Sequence, residues 1–572
     1  MVFGASVEES VTRTNTICRF TKIVAAALIA ALSLQLSGRS WAADLAGLPF
    51  FSDSSTAAAA AAAATPPAPL AAPKEEFGWG GPASDCGPEA GKSFFPRLVD
   101  TYERYIAWNG DPPPAPGSFR GPPAVTTNPP YPFSTWPMGA TQAVGWTMSH
   151  FTPLMDTLYC GPFGQIMKNS GVQIYGWTDI GGNLSTSKTH FNIARGIGGN
   201  NPRDYDVYPN TVQLDQATLY IERNADENQT DHYDWGFRIA NLYGTDYKYT
   251  FAHDVLSNQY IDEHKKMGYD PVMFYVDWYD PFVLQGMNIR VGRYISIPDI
   301  EAQLAPDNYT YSHSLLYGFD PYTQFGIVDT MKLNKPQEGG SWWRRGEWTL
   351  QLELSAGNDV AIWDWAANHR KQTMITPAVC VQYLSASGND SIYPCLNTIN
   401  DGRYDYNNLQ HYVITWYHHF DQNGPMKDFH TSTESWFMYQ RAVPNLSYTG
   451  KNPAYLVPND NGAICGNPNE KRCTSSEYAF VNYVEYQWSP RLNFTYRNGV
   501  FDDFQGQRTG YKTLYYETSL ALTYWLGEMM ELRPELTWEH AFDVAAYDVN
   551  NVTNADGKHS QFTFAMDAIV HY

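Results

Sequence analysis

Hydrophobic and polar positions alternate with a period of two through most of the chain after residue 171. At the C-terminus Phe562, Phe564, Met566, Ala568, Val570 and Tyr572 take every second place, with Thr563, Ala565, Asp567, Ile569 and His571 between them. Successive strand side chains point to opposite faces, so this run predicts a strand with one apolar and one mixed face. Just upstream, Leu532, Leu536, Trp538 and Phe542 share a face opposed by Glu531, Arg533, Glu535, Thr537 and Glu539. Pro534 interrupts the apolar side and sets the expected start of that strand just after it. The same opposition recurs at 233–249, 287–292, 347–356 and 491–497, too often for chance.

The connections carry a second pattern. Counting back from Tyr572, long polar links are expected near 543–559, 500–510, 442–476 and 386–408, and short ones near 526–529, 488–490 and 421–427. Long and short links alternate when one rim of a barrel carries extracellular loops and the other periplasmic turns, and a soluble sandwich gives no reason for that. The expected fold is all-β, a transmembrane antiparallel up-and-down β-barrel of about 14–16 strands over residues 171–572. Pro281, Pro298, Pro306 and Pro321 make 250–335 the hardest stretch to divide into strands.

Composition agrees. Mean hydropathy is −0.42, too polar for a helical membrane protein but suited to strands that show lipid only alternate residues. Aromatics make up 15% of the chain (Tyr 40, Phe 28, Trp 18), as two interfacial girdles require. The net charge of −21 argues against a nucleic-acid partner and leans toward cations in any pore.

Ahead of the barrel, Arg19 and Lys22 precede an apolar run, Ile23–Leu34, and Ser40-Trp41-Ala42 offers a cleavage site, so residues 1–42 read as a signal peptide. No later run reaches the roughly 18 apolar residues of a spanning helix, so export leaves periplasm, outer membrane or medium, and with the barrel pattern the expected location is the cell outer membrane. Residues 43–76, with Ala57–Ala64, form a low-complexity tether. Residues 77–170 are Pro-rich and read as an irregular periplasmic or barrel-plugging segment, with the choice left open.

Six cysteines follow the signal. Cys380 with Cys395 and Cys465 with Cys473 are close in sequence and lie in or beside Asn/Gly-rich links. In an exported chain they read as disulfides stapling loops. Cys86 and Cys160 would make a third pair, which spacing alone does not establish. Enzymatic constellations are absent from the sequence: His418-His419 point to opposite faces of a strand, Gly196-Ile197-Gly198-Gly199 precedes no phosphate-binding helix, and no G-x-S-x-G elbow occurs. No catalytic, cofactor-binding or metal-ligating residue is assigned. The candidate functional residues are the charges on polar strand faces, Arg290, Glu531, Arg533, Glu535 and Glu539, expected to face the lumen. There they would act as selectivity charges or simply pair across strands. Arg293 shares the parity of Val291 and is expected at a strand end, reaching to the membrane interface.

In the stretch 233–333, Asp234-Trp235-Gly236-Phe237-Arg238 with Leu242-Tyr243-Gly244-Thr245-Asp246 is similar to a recurrent strand of the OmpL-like β-barrel porin family, and Asn288-Ile289-Arg290-Val291-Gly292-Arg293-Tyr294 to another. Ala305-Pro306-Asp307-Asn308 and Tyr311-Ser312-His313-Ser314, followed by Gly326-Ile327, resemble its next signature. The resemblance implies an outer-membrane barrel with a pore, and supplies no substrate, cofactor or catalytic residue. The first functional reading is therefore a non-enzymatic porin-like channel for passive diffusion of small hydrophilic solutes or ions. The second is a plugged structural or binding barrel whose loops contact a partner, and the third a secreted soluble carbohydrate-active β-protein. Expected partners are outer-membrane lipid, the solute, the barrel-assembly machinery through the strand ending at Tyr572, and further copies of the chain.

Overall fold

The computed structural model describes residues 91–107 and 153–572, except 195, 226–228, 296–297, 322, 335–336, 338, 364–374, 388, 402–408, 421–423, 427, 450–461, 490–491, 527–529 and 550–556. The expected signal peptide, the tether, Cys86 and the stretches 77–90 and 108–152 lie outside the described residues.

Sixteen strands form one closed antiparallel barrel in which each strand pairs with its chain neighbours. They are β1 (Gln173–Ser185), β2 (Val212–Arg223), β3 (Asp234–Gly244), β4 (Gly268–Asp280), β5 (Met287–Ile295), β6 (Thr323–Lys332), β7 (Glu347–Asn358) and β8 (Thr376–Leu384). The second half continues with β9 (Asp390–Asp401), β10 (Leu409–His419), β11 (Phe429–Pro444), β12 (Arg472–Ser489), β13 (Leu492–Asp503), β14 (Thr513–Leu526), β15 (Met530–Ala541) and β16 (Ser560–His571). β16 closes the wall against β1, from Trp177 opposite His571 to Ser185 opposite Thr563. Beyond its end, Tyr572 and Gly176 exchange both backbone hydrogen bonds. Closure leaves no sheet edge, the condition for carrying strands through hydrocarbon.

The period of two places the side chains. Along β16, Gln561, Thr563, Asp567 and His571 are buried while Phe562, Phe564 and Met566 are exposed. Leu184, Phe564, Leu536 and Leu520 lie opposite one another across β1, β16, β15 and β14 and all face outward. This row should sit in hydrocarbon. Leu520→Arg is therefore expected to cost about 2–4 kcal/mol of unfolding free energy in lipid vesicles, measured by urea titration. A change below about 1 kcal/mol would mean that the row does not meet the bilayer core.

Aromatic side chains gather at the strand ends. On the rim of the short turns, Tyr233 stacks on Trp278 (5.7 Å) and meets Phe282 (5.2 Å), Phe429 meets Tyr486 (4.5 Å), and Trp348 meets Tyr383 (4.9 Å). Towards the other rim, Tyr412 stacks on Tyr439 and Tyr516 meets Trp538. Belts at both ends of the strands are interfacial girdles; aromatics that stack on a sugar would instead share one groove.

Most links at one rim are long (186–211, 245–267, 296–322, 359–375, 445–471, 542–559), with 402–408 and 504–512 shorter, and those at the other rim run from 333–346 down to 490–491 and 527–529. One expected link divides differently. Residues 386–408 contain β9, whose outward side is only Ile392, Pro394 and Leu396 among polar neighbours. As a result Cys380 and Cys395 are register partners on adjacent strands, and their disulfide lies inside the wall instead of stapling a loop. Cys465–Cys473 ties the link before β12 to the start of that strand. Cys160 is disulfide-bonded as well.

β15 also starts earlier than expected, at Met530. Pro534 stays paired with Met566 of β16, and the ladder toward β14 lapses between the pairs Ala521–Glu535 and Tyr524–Leu532. A residue without an N–H is accommodated by releasing one neighbour. β3 ends at Gly244, short of the alternation read to 249, because Tyr247–Thr250 turns as a helix.

Before the wall, the segment read as irregular contains three helices among its described residues: α1 (Phe94–Ala107), α2 (Pro153–Tyr159) and α3 (Gly164–Ser170). α2 packs against α1 and β1. Met155 is buried in the same cluster as the inward Tyr175 and Trp177, and its Sδ accepts the Ile174 N–H. Arg97 of α1 donates to the Cys160 carbonyl (2.7 Å).

Candidate functional site

The inner face of the barrel converges on one link. After Ile295 the chain leaves the wall, and it returns only at Thr323, although these two residues face one another in register. Pro298, Pro306 and Pro321 lack the N–H that a continued ladder needs. Residues 298–306, 308–317 and 320–321 are buried, with a 3-10 turn at Ala305–Asp307 and a helical turn at Leu315–Gly318. A loop buried this way must satisfy its own backbone groups, and here the wall side chains do so.

Those contacts reach round the barrel. From β2, Gln216 accepts the Ala305 N–H (3.0 Å) and donates to the Gln303 carbonyl (2.7 Å), while Asp215 accepts the Tyr311 hydroxyl (3.0 Å). From β11, Glu434 accepts the Ile300 N–H (2.8 Å) and Trp436 donates to the Leu316 carbonyl (3.3 Å). Glu517 of β14 accepts the Leu315 N–H (3.0 Å). Glu535 of β15 accepts both the N–H and the hydroxyl of Ser312 (2.8 and 2.7 Å). Arg497 of β13 donates to the Ser312 carbonyl (2.6 Å), and Arg533 to the carbonyls of Ala305 and Asn308 (2.6 and 2.9 Å). The link therefore crosses the lumen, and Leu304, Tyr309, Leu315 and Leu316 join Trp436, Tyr483 and Phe501 in one buried cluster.

The structure places the five candidate charges as follows. Arg290 forms a two-pronged pair with Asp277 of β4 (2.8 and 2.9 Å), its guanidinium 3.8 Å from the Tyr275 ring centre. Arg533 pairs with Asp567. Glu535 lies 3.3 Å from Arg497, and Glu539 3.3 Å from Arg203 of the β1–β2 link. Glu531 accepts from His571 Nε2 (2.7 Å). All five are buried. Arg533, Glu535 and Glu539 thus share one network with the inward links, whereas Arg290 and Glu531 pair along the wall away from the Ser312 contacts.

Arg293 is not at the membrane interface. It is 1% exposed and pairs with both Asp270 oxygens (2.8 and 3.0 Å) while donating to the Thr250 and Pro271 carbonyls. Gly292 explains the change of face. Its φ of +143° is open to glycine, and a Cβ there would meet the Phe274 carbonyl oxygen at 2.2 Å. The strand turns at this residue and the parity is lost.

Sequence reasoning did not single out Arg497, Glu517 or Glu434. Arg497 was visible on the polar side of Phe494 and Tyr496; the two acids become functional candidates only through loop partners distant in sequence. Electrostatics of the link follow its burial. His313 is stacked between Tyr205 and Tyr317, and burial pushes its imidazole down to about 3, so it stays neutral. Burial raises the Glu301 carboxyl, against the opposing pull of Arg497.

Solved structures with similar architecture include the outer membrane channel DcaP of Acinetobacter baumannii (12% identity, TM-score 0.40, covering 70% of this chain and 97% of that one). The anion-selective porin from Comamonas acidovorans is another (11%, 0.37, 70% and 99%), as is Pseudomonas putida OprB (10%, 0.34, 72% and 97%). No curated protein sequence matches the chain. The family described as "Putative beta-barrel porin-2, OmpL-like" matches residues 171–572, which span the whole wall from β1 to β16, and the chain belongs to that family of outer-membrane β-barrels.

Proposed function

We propose that the protein is a porin-like channel that passes small hydrophilic solutes or ions by diffusion, and that link 296–322 sets its bore. The observation that carries this reading is how the link is held. It hangs in the lumen on side-chain contacts to six strands, and among its described residues no ladder bond builds it into the wall. Such an element constricts a pore without being needed to close the barrel. Arginines and carboxylates paired between nearby strands line the interior with fixed charges that act on any solute that passes. In the same reading the leader is cleaved on export, the outward apolar band meets outer-membrane lipid, and the strand ending at Tyr572 is what the barrel-assembly machinery reads. Copies of the chain associate through the outer face.

The test is single-channel conductance of the folded protein in a planar bilayer, beside a variant beginning at residue 168. Steady conductance is expected, with a reversal potential in a salt gradient on the cation side, as the acidic balance dictates. One observation favours the second reading, a plugged binding barrel: the inner side chains of β15 and β16 are buried down their length. Conductance seen only in the shortened variant would place the plug in the N-terminal segment. Silence from both inserted barrels would make the plugged reading the correct one.

A further inference from the structure

We propose that Asp299, Asp320 and Glu434 bind one hard divalent cation, of the Ca2+ or Mn2+ class, that ties both roots of the inward link to strand β11. Asp299 stands near the start of link 296–322, Asp320 near its end, and Glu434 in the middle of β11. One carboxylate oxygen from each lies within 4.8 Å of the others. A cation about 2.4 Å from each oxygen spans such separations. All three side chains are buried, at 2%, 3% and 0% exposure.

A second observation lies in what they lack. Among the described residues, no donor outside the trio hydrogen-bonds either oxygen of Asp299 or of Asp320, or Oε1 of Glu434, and the Asp299 and Asp320 carboxyls face each other. The largest charged influences on the trio are carboxylates: Glu301 on Asp299; Asp299, Glu434 and Asp359 on Asp320; and Asp299 and Glu301 on Glu434. Several other inner acids are matched by an arginine, as Asp567 is by Arg533, Asp277 by Arg290 and Asp270 by Arg293. His411, fully buried, points Nδ1 at Asp320 Oδ1 from 3.2 Å and has no partner for Nε2. Buried carboxylates with no donor and no cation are compensated either by protons or by a metal ion. An all-carboxylate oxygen set beside one imidazole suits a hard cation and not a thiophilic one. The two aspartates bracket the loop, so one ion would hold both of its ends.

The site is tested by binding alone and stands whether or not the barrel conducts. The full chain, folded in detergent and stripped with EDTA, is titrated with Tb3+ under tryptophan excitation. The Trp436 ring lies 5.5 Å from that of His411 and serves as the antenna. One saturable site is expected, displaced by Ca2+ or Mn2+. Its affinity should fall at least about tenfold in Asp320→Asn and in Glu434→Gln, and stay within about twofold in Glu485→Gln, a buried acid of β12 outside the trio. Absence of sensitised emission, or emission that persists in both variants, overturns the proposal and leaves shared protons as the compensation. Should a variant fail to fold, the parent protein decides: a melting temperature that rises with Ca2+ or Mn2+ supports the site. No rise with either ion up to about 10 mM overturns it.

Discussion

Replacing residues 296–322 by a short Gly-Ser bridge is expected to raise the unitary conductance about tenfold, because barrels of this strand number otherwise enclose an aqueous channel. The bridge is geometrically mild. Ile295 and Thr323 already face one another in the ladder, so β5 and β6 become a hairpin and the wall keeps its register. Removing the link exposes Glu434, Glu517, Glu535, Arg497 and Arg533 to water. Their loop partners are lost, but as solvated ions they no longer need them. Reversal potentials should then report the wall charges directly. An unchanged conductance would show that other inward links fill the lumen on their own. The β1–β2 link, which sends Arg203 to Glu539, is the first of these to suspect.

The wall was legible because its two sides meet different solvents. Phe562, Phe564 and Met566 against Thr563, Ala565 and Asp567 state the faces of β16 without any partner being known, and β15 does the same through Glu531, Arg533, Glu535, Thr537 and Glu539. What fills the inside follows no period. Leu304, Tyr309, Leu315 and Leu316 pack as a core, yet their spacing fits neither strand nor helix, and the loop that bears them is set by contacts such as Ser312 with Glu535, 223 residues apart. β9 escaped for the opposite reason. It is a true strand with a short apolar side and a proline in it, so it resembled the polar links on either side. Parity could say which way Arg290 or Glu535 points, but not whether water or a serine hydroxyl waits there. At Arg293 even parity failed, because one glycine turned the strand.

Arg497 is where the wall and the link depend most on each other, and Arg497→Ala is expected to cost about 3–5 kcal/mol of unfolding free energy. The guanidinium is fully buried. It donates to Thr310 Oγ1 (3.1 Å), the Ser312 carbonyl (2.6 Å) and Ser312 Oγ (2.7 Å), and it faces Glu535 at 3.3 Å and Glu517 at 3.8 Å. Alanine would leave two carboxylates sharing a buried site with no cation between them, and the Ser312 carbonyl would lose a donor. Arg497→Lys keeps the charge but not the planar fork, so a loss of about half that size is expected. The double change Arg497→Leu with Glu535→Leu removes both halves of the pair and should recover part of the alanine loss. Urea unfolding in lipid vesicles, followed by far-UV circular dichroism, measures all three. A cost below about 1 kcal/mol for Arg497→Ala would have a definite meaning, since that is the scale of a solvated ion pair. It would place water between Arg497 and its carboxylates, making the lumen at this level a hydrated passage instead of a packed core. The same protein would then be expected to conduct with its inward link still in place.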